Sequence, residues 1–148
     1  MKIDPGAIGL QSEDRYVDVE RGQLRLFAKA VRESDPIYSD VEAARAAGYP
    51  DIPAPPTFAF SLSNLAPPKI GAPDDLIPDL RKTLHGEQSF EYRKMIFAGD
   101  RILIKTRVSD VYEKSGGALQ FLVQDSEYYN QHGELCAVAR SSSVMVNA

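Results

Sequence analysis

Residues 31–60 read VRESDPIYSDVEAARAAGYPDIPAPPTFAF, and this stretch decides the fold. It begins at the end of an amphipathic helical pattern and continues through an Asp-Pro-Ile-Tyr-Ser-Asp loop. An Ala-rich segment of high helix propensity follows, and Pro53, Pro55 and Pro56 then hold the chain extended before an apolar segment. The segment TFAFSLSNLA at 57–66 predicts a helix. Because proline is well tolerated in the first helical turn, we expect Pro56 to be its entry point.

The flanking segments predict a mixed first half and a β-rich second half. RYVDV at 15–19 predicts a short strand, and apolar residues at helical spacing predict a helix over 21–31. A second helix is predicted over 41–47, and the Pro-, Gly- and Asp-rich residues 67–78 predict a surface loop. Alternating residues and turn signals then predict four strands, at 88–97, 101–111, 118–129 and 135–146. We expect these strands to form an antiparallel meander with helix packed against it, an α+β fold.

Composition places the chain among ordinary globular proteins. We expect its 148 residues to form a single domain, and 43% hydrophobic and 26% charged residues indicate neither disorder nor a membrane protein. A formal net charge of -4 argues against nucleic acid as a partner. One cysteine allows no internal disulfide and no signal-peptide pattern is visible, so we expect a cytoplasmic protein. We expect no metal and no cofactor, because no metal-ligand spacing, phosphate-binding loop or nucleophile elbow is visible.

The order of motifs in residues 31–60 resembles that of the MaoC-like hydratases and dehydratases, most closely their N-terminal, FAS1-type dehydratase branch. LHGEQ at 84–88 and AGD at 98–100 resemble motifs of the same branch. The resemblance implies a single hotdog fold, in which an antiparallel sheet wraps around a central helix, and an acyl-CoA or acyl-carrier-protein thioester as ligand. It also implies a dimer, because a lone hotdog sheet leaves an edge strand and its ligand tunnel open. Whether the dimer is a homodimer or a heteromer with a catalytic MaoC-like subunit stays open.

The loop that carries the chemistry in this family is altered here. In MaoC-like hydratases, the aspartate and the histidine of a D-x-N-P-x-H-x-D loop hold the water that adds to a 2-enoyl thioester. Two groups of different pKa are needed, because the water loses a proton while the alpha carbon gains one. At the positions of the aspartate, asparagine and histidine this chain has Glu33, Asp35 and Tyr38. A tyrosine with an ordinary pKa near ~10 is a poor base at neutral pH.

The family's oxyanion donor is altered too. It is a backbone N–H at the start of the central helix, in an Ala-His-Gly segment, and the corresponding residues here are Ala54, Pro55 and Pro56. His85 remains as a candidate acid or base at neutral pH, with a structural role as the alternative. The candidate catalytic residues are therefore Glu33, Asp35, Tyr38 and His85. Candidate substrate-binding residues, including an arginine for the phosphates of CoA, are Pro55, Pro56, Thr57, Phe58, Gly86 and Arg93.

Three functions stay open on the sequence. The one we favour is an (R)-specific 2-enoyl-thioester hydratase or 3-hydroxyacyl-thioester dehydratase, in which this chain binds the acyl thioester and a catalytic hotdog partner supplies the acid and base. The second is a self-sufficient homodimeric hydratase that uses Glu33 or Asp35 together with His85. The third is a non-catalytic thioester-binding hotdog or a thioesterase, because a fold alone is weak warrant for a function.

Overall fold

The computed structural model describes residues 3–66, 76–77 and 79–147. Its strands are β1 (Arg15–Asp18), β2 (Thr83–Tyr92), β3 (Arg101–Lys114), β4 (Leu119–Tyr129) and β5 (Leu135–Val146). Its α-helices are α1 (Arg21–Ala30), α2 (Val41–Ala46) and α3 (Phe58–Leu65). In the described residues the strands form one antiparallel sheet in the order β1-β3-β4-β5-β2.

The apolar helix α3 packs against the concave face of this sheet. Phe58, Ala59 and Leu62 bury their side chains in a core cluster that includes residues of β1, β3, β4 and β5. The ring of Phe58 meets that of Phe27 in α1 edge to face, with centroids 5.3 Å apart. The helix is therefore held by both the sheet and α1, which is the sheet-around-helix arrangement predicted from the sequence.

Most predicted elements match the structure within three residues at each end. β5 has the predicted bounds, and α3 begins at Phe58, two residues after the predicted entry point at Pro56. The loop predicted at 67–78 falls largely outside the described residues, so the loop remains a prediction. None of the helices in the described part of the chain combines the length and apolar character that a bilayer crossing requires.

The predicted four-strand meander is wrong at β2. Only β3, β4 and β5 follow one another in the sheet, whereas β2 crosses to pair with β5, at the edge opposite β1. The strand also runs from Thr83 to Tyr92 rather than from Gln88 to Phe97. Alternation along the sequence shows that a segment is extended, but it does not show which strand that segment pairs with.

A β-bulge at Gly86 determines how β2 presents its side chains. The register with β5 shifts between His85 and Glu87, so Gly86 is the extra residue. In a regular strand, His85 and Gln88 would lie on opposite faces, because successive side chains alternate. With the bulge, both line one cavity on the concave face, where the His85 ring contacts Phe60 of α3.

We predict that Gly86→Ala lowers the free energy of unfolding by about 1–3 kcal/mol, the usual cost of overpacking a filled site. An added Cβ would lie 2.7 Å from Cγ2 of Val144 and 3.2 Å from the carbonyl oxygen of Ser142. Chemical denaturation measures the change. Gly22→Ala in α1 is the matched control, because outside its own helix and chain neighbours no described atom lies within 4 Å of the added Cβ. Equal losses in the two variants would contradict this role for Gly86.

Candidate functional site

A cleft of about 230 Å³ opens at the amino-terminal end of α3. Its surface is largely apolar, with two tyrosine hydroxyl groups and two cationic side chains added to it. The lining residues are Tyr38, Ala54, Pro55, Pro56, Ala59, Tyr92, Arg93, Lys94, Met95 and Ile96. The cleft thus joins the start of α3 to the end of β2 and to the loop between α1 and α2.

Two hydrogen bonds hold the proline segment in place beside the end of β2 and the residues that follow it. The N–H of Ala54 donates to the carbonyl oxygen of Ile96 at 2.7 Å. The Tyr92 hydroxyl donates to the carbonyl oxygen of Pro56, which ties β2 to the start of α3. Since Pro55 and Pro56 have no N–H, neither can supply the oxyanion donor that the family's glycine supplies.

The carboxylates of the loop between α1 and α2 are used in backbone hydrogen bonds. Glu33 Oε1 accepts from the N–H of Asp35 at 2.9 Å. Asp35 Oδ1 accepts from the N–H of Ile37 at 3.1 Å and caps a short 3-10 turn, Pro36–Tyr38. Asp40 caps α2 in the same way, at 2.8 Å from the N–H of Glu42. Glu33 and Asp35 are exposed, and the contacts they make are local to the loop.

Tyr38 is the loop residue that reaches the cleft. Its pKa is raised above the ordinary value of 10.0, first by the loss of solvent around the half-buried side chain and then by the negative charges of Glu33 and Asp35. Burial also raises the pKa of Tyr92. Both hydroxyl groups are therefore neutral at physiological pH, so they can form hydrogen bonds but are poorly suited to act as bases.

His85 lies in a different cavity, of about 320 Å³, on the concave face of the sheet. Its ring meets Phe60 edge to face, with centroids 5.2 Å apart. His85 and Tyr92 are seven positions apart on β2, which corresponds to roughly 20 Å of extended strand. The structure thus gathers Tyr38 and Tyr92 at one end of β2 and places His85 at the other.

The candidate binding residues are divided in the same way. Pro55, Pro56 and Arg93 line the cleft, whereas Phe58 is 2% exposed within the core and Gly86 forms the bulge. Thr57 is the N-cap of α3, and its side chain makes no capping hydrogen bond.

Two cations lie in the wall of the cleft. Arg93 forms an ion pair with Glu91, and Lys94 forms one with Glu134. All four side chains are more than one-third exposed, so solvent weakens both pairs and leaves the cations accessible to an anionic ligand. Within the described residues no group of three or more His, Cys, Asp or Glu side chains could hold a metal ion.

Tyr92 is a cleft residue with a functional group that sequence reasoning missed. In an alternating strand, a tyrosine gives the same pattern whether it faces solvent or a cleft. The pairing of β2 with β5 brings the end of β2 beside Pro56. Only this tertiary contact shows that Tyr92 faces the cleft rather than solvent.

Comparison with known proteins identifies the family to which the chain is similar. The chain matches the family described as FAS1-like, dehydratase domain region, over residues 6–139. It is 39% identical over 145 residues to a UPF0336 protein of Saccharopolyspora erythraea, which covers 97% of this chain and 92% of that protein.

Solved structures confirm the predicted fold. A chain of the C-terminally truncated HadBC complex, a (3R)-hydroxyacyl-ACP dehydratase of Mycobacterium tuberculosis, is 27% identical with a TM-score of 0.78, covering 97% of this chain and 99% of that one. A chain of the ChsH1-ChsH2 complex of the same organism is 21% identical with a TM-score of 0.75, covering 92% and 88%. The second likeness shows the fold alone.

We predict that Glu33→Gln lowers the pKa of Tyr38 but leaves it above 10.0, because loss of solvent is the larger cause of the rise. A pH titration of the tyrosine ring signals by NMR, assigned with Tyr38→Phe, measures this pKa. Glu42→Gln, which removes an exposed carboxylate of α2, is the control and leaves the pKa of Tyr38 unchanged. A Tyr38 pKa near neutrality in the unaltered protein would contradict the assignment of Tyr38 as a neutral donor.

Proposed function

Because the chain belongs to the FAS1-like dehydratase domain region family, we propose that it is the acyl-thioester-binding subunit of an (R)-specific 2-enoyl-thioester hydratase or 3-hydroxyacyl-thioester dehydratase. In this proposal the thioester is carried by CoA or by an acyl carrier protein. A catalytic hotdog partner supplies the acid and the base.

One observation carries the proposal: the described residues that line the cleft at the start of α3 offer binding groups but include no carboxylate or imidazole that could act as a base. Tyr38 occupies the position of the family's histidine, and its raised pKa keeps it protonated. Glu33 and Asp35 each have one carboxylate oxygen engaged by a backbone N–H. A water in this cleft therefore has hydrogen-bonding neighbours, but the described lining residues include no carboxylate or imidazole to remove its proton.

The lining of the same cleft supports the proposal that a thioester binds there. Ala59 and Ile96 give it apolar walls for the first carbons of an acyl chain, and the hydroxyl group of Tyr38 is a neutral hydrogen-bond donor beside them. Arg93 and Lys94 provide positive charge for the phosphates of CoA or the acidic surface of a carrier protein. Ligand pockets commonly combine an apolar lining with a few placed polar groups in this way.

The edge of the sheet supports the need for a partner. β2 is ten residues long and pairs only with β5 in the described sheet, so its other edge is available for strand pairing. Leu84 on this strand is 60% exposed and Tyr92 is 47% exposed. HadBC and ChsH1-ChsH2, to which the chain is similar, are both complexes. We propose that β2 pairs with the corresponding strand of the catalytic subunit and that the thioester group lies where the two subunits meet.

We predict that the purified chain alone hydrates crotonyl-CoA no faster than a buffer control. Hydration at an enzymatic rate is expected once a catalytic MaoC-like subunit, identified by co-purification with the tagged chain, is added. Loss of the enoyl absorbance measures both rates. Turnover of crotonyl-CoA by the chain alone at an ordinary enzymatic rate would contradict the proposal. If both Glu33→Ala and His85→Ala then abolished that turnover, the result would favour the self-sufficient hydratase.

A matched pair of variants tests the cleft within that complex. Tyr38→Phe removes one hydrogen bond and is expected to raise the KM for crotonyl-CoA about fivefold, which corresponds to roughly 1 kcal/mol. Tyr16→Phe alters an exposed tyrosine of β1 outside the cleft and is expected to leave the KM unchanged. Equal effects of the two variants would contradict the placement of the thioester at Tyr38.

A further inference from the structure

The cavity beside the second half of α3 has a more polar lining than a hydrocarbon chain requires. The hydroxyl groups of Ser63 in α3 and Tyr128 in β4 lie 2.7 Å apart. Those of Thr106 in β3 and Ser126 in β4 lie 2.9 Å apart. All four residues line the same cavity of about 320 Å³ that contains His85.

Arg15 brings a buried positive charge to this cavity. The residue is 7% exposed and lies on β1, with its Nη1 donating to the carbonyl oxygen of Ser63 at 3.1 Å. Its Nε is buried without a hydrogen-bond partner. Burying a charged group with an unsatisfied donor is costly, so this arrangement favours an anion as a further partner.

The unpartnered Nε of Arg15 is the atom type through which two other arginines of the chain bind carboxylates. Arg21 holds Asp51 through Nε at 2.9 Å and Nη2 at 2.6 Å. Arg140 holds Asp125 through Nε at 2.7 Å and Nη2 at 3.0 Å. In Arg15 the bond to Ser63 uses Nη1, and Nε has neither a hydrogen-bond partner nor contact with solvent. A carboxylate therefore binds Nε once the side chains that cover this atom move aside.

The cleft and the cavity are both lined by residues of α3. Ala59 lines the cleft and the following residue, Phe60, lines the cavity. From Pro56 at the cleft to Ser63 beside Arg15, the helix rises about 10 Å. This distance corresponds to the length of an extended acyl chain of about eight carbons.

We propose that this cavity receives the far end of the acyl chain, that this end bears a carboxylate, and that Arg15 binds it. The substrate class is then the ω-carboxyacyl thioesters rather than the plain fatty acyl thioesters. The inference rests on the proposed thioester-binding function and adds a specificity-determining residue to it.

Calorimetric titration of the full chain with two CoA thioesters of equal length tests the inference. Suberyl-CoA, which carries an ω-carboxylate, is expected to bind about tenfold more tightly than octanoyl-CoA. This ratio corresponds to the lower end of the usual free-energy range for a hydrogen bond to a charged group. Arg15→Gln removes this preference, whereas Arg101→Gln, on an exposed arginine of β3, retains it. Equal affinities of the unaltered chain for the two thioesters would overturn the inference and leave the proposed function standing.

A second pair of variants leaves Arg15 and its bond to α3 intact. Ser141 of β5 lines the cavity, so Ser141→Asp adds a negative charge there, and Ser141→Asn adds a neutral group of the same size. The aspartate variant is expected to lose the preference for suberyl-CoA and the asparagine variant to keep it. Loss in both variants, or in neither, would overturn the role of charge in this cavity.

Octanoate serves as a probe that carries no thioester. One possible outcome is that the unaltered chain binds octanoate but neither thioester, and that Arg15→Gln abolishes octanoate binding. This outcome would support the carboxylate site and overturn the thioester function. A chain that binds none of the three compounds would overturn both.

Discussion

The packing of α3 against the concave face of the sheet is the constraint on which the rest of the structure depends. Hydrogen bonds tie both ends of the helix to edge strands: Tyr92 of β2 donates to the carbonyl of Pro56, and Arg15 of β1 donates to that of Ser63. Burial of Phe58 and Leu62 holds the middle. Because cleft and cavity are both bounded by α3, their relative position is set by the helix itself.

The elements could be predicted from the sequence because their signals are local. The apolar segment after Pro56 and the alternation over 135–146 identify α3 and β5 without knowledge of the fold. The pairing of β2 with β5 could not be predicted in this way, because it depends on a contact between residues about fifty positions apart. The resemblance to a known family supplied the sheet-around-helix architecture, but not this strand order.

The candidate site was only partly predictable for the same physical reason. Tyr38 and the prolines were found because they replace residues of a recognisable loop, and the structure places them around one cleft. Tyr92 of the cleft and Arg15 of the proposed carboxylate site were missed. In an alternating strand, a polar residue that faces a cavity gives the same sequence pattern as a polar residue that faces solvent. The electrostatic result, a tyrosine held neutral by burial and by two nearby carboxylates, also requires knowledge of the three-dimensional surroundings.

The central claim is that the chain completes its site by pairing β2 with a catalytic hotdog subunit. Hydrogen–deuterium exchange of the backbone amides, measured on the chain alone and on its complex with that subunit, tests this claim most directly. The account predicts that complex formation slows exchange within Thr83–Tyr92, where amides that face away from β5 gain partners. A complex that slows exchange elsewhere and leaves β2 unchanged would contradict it.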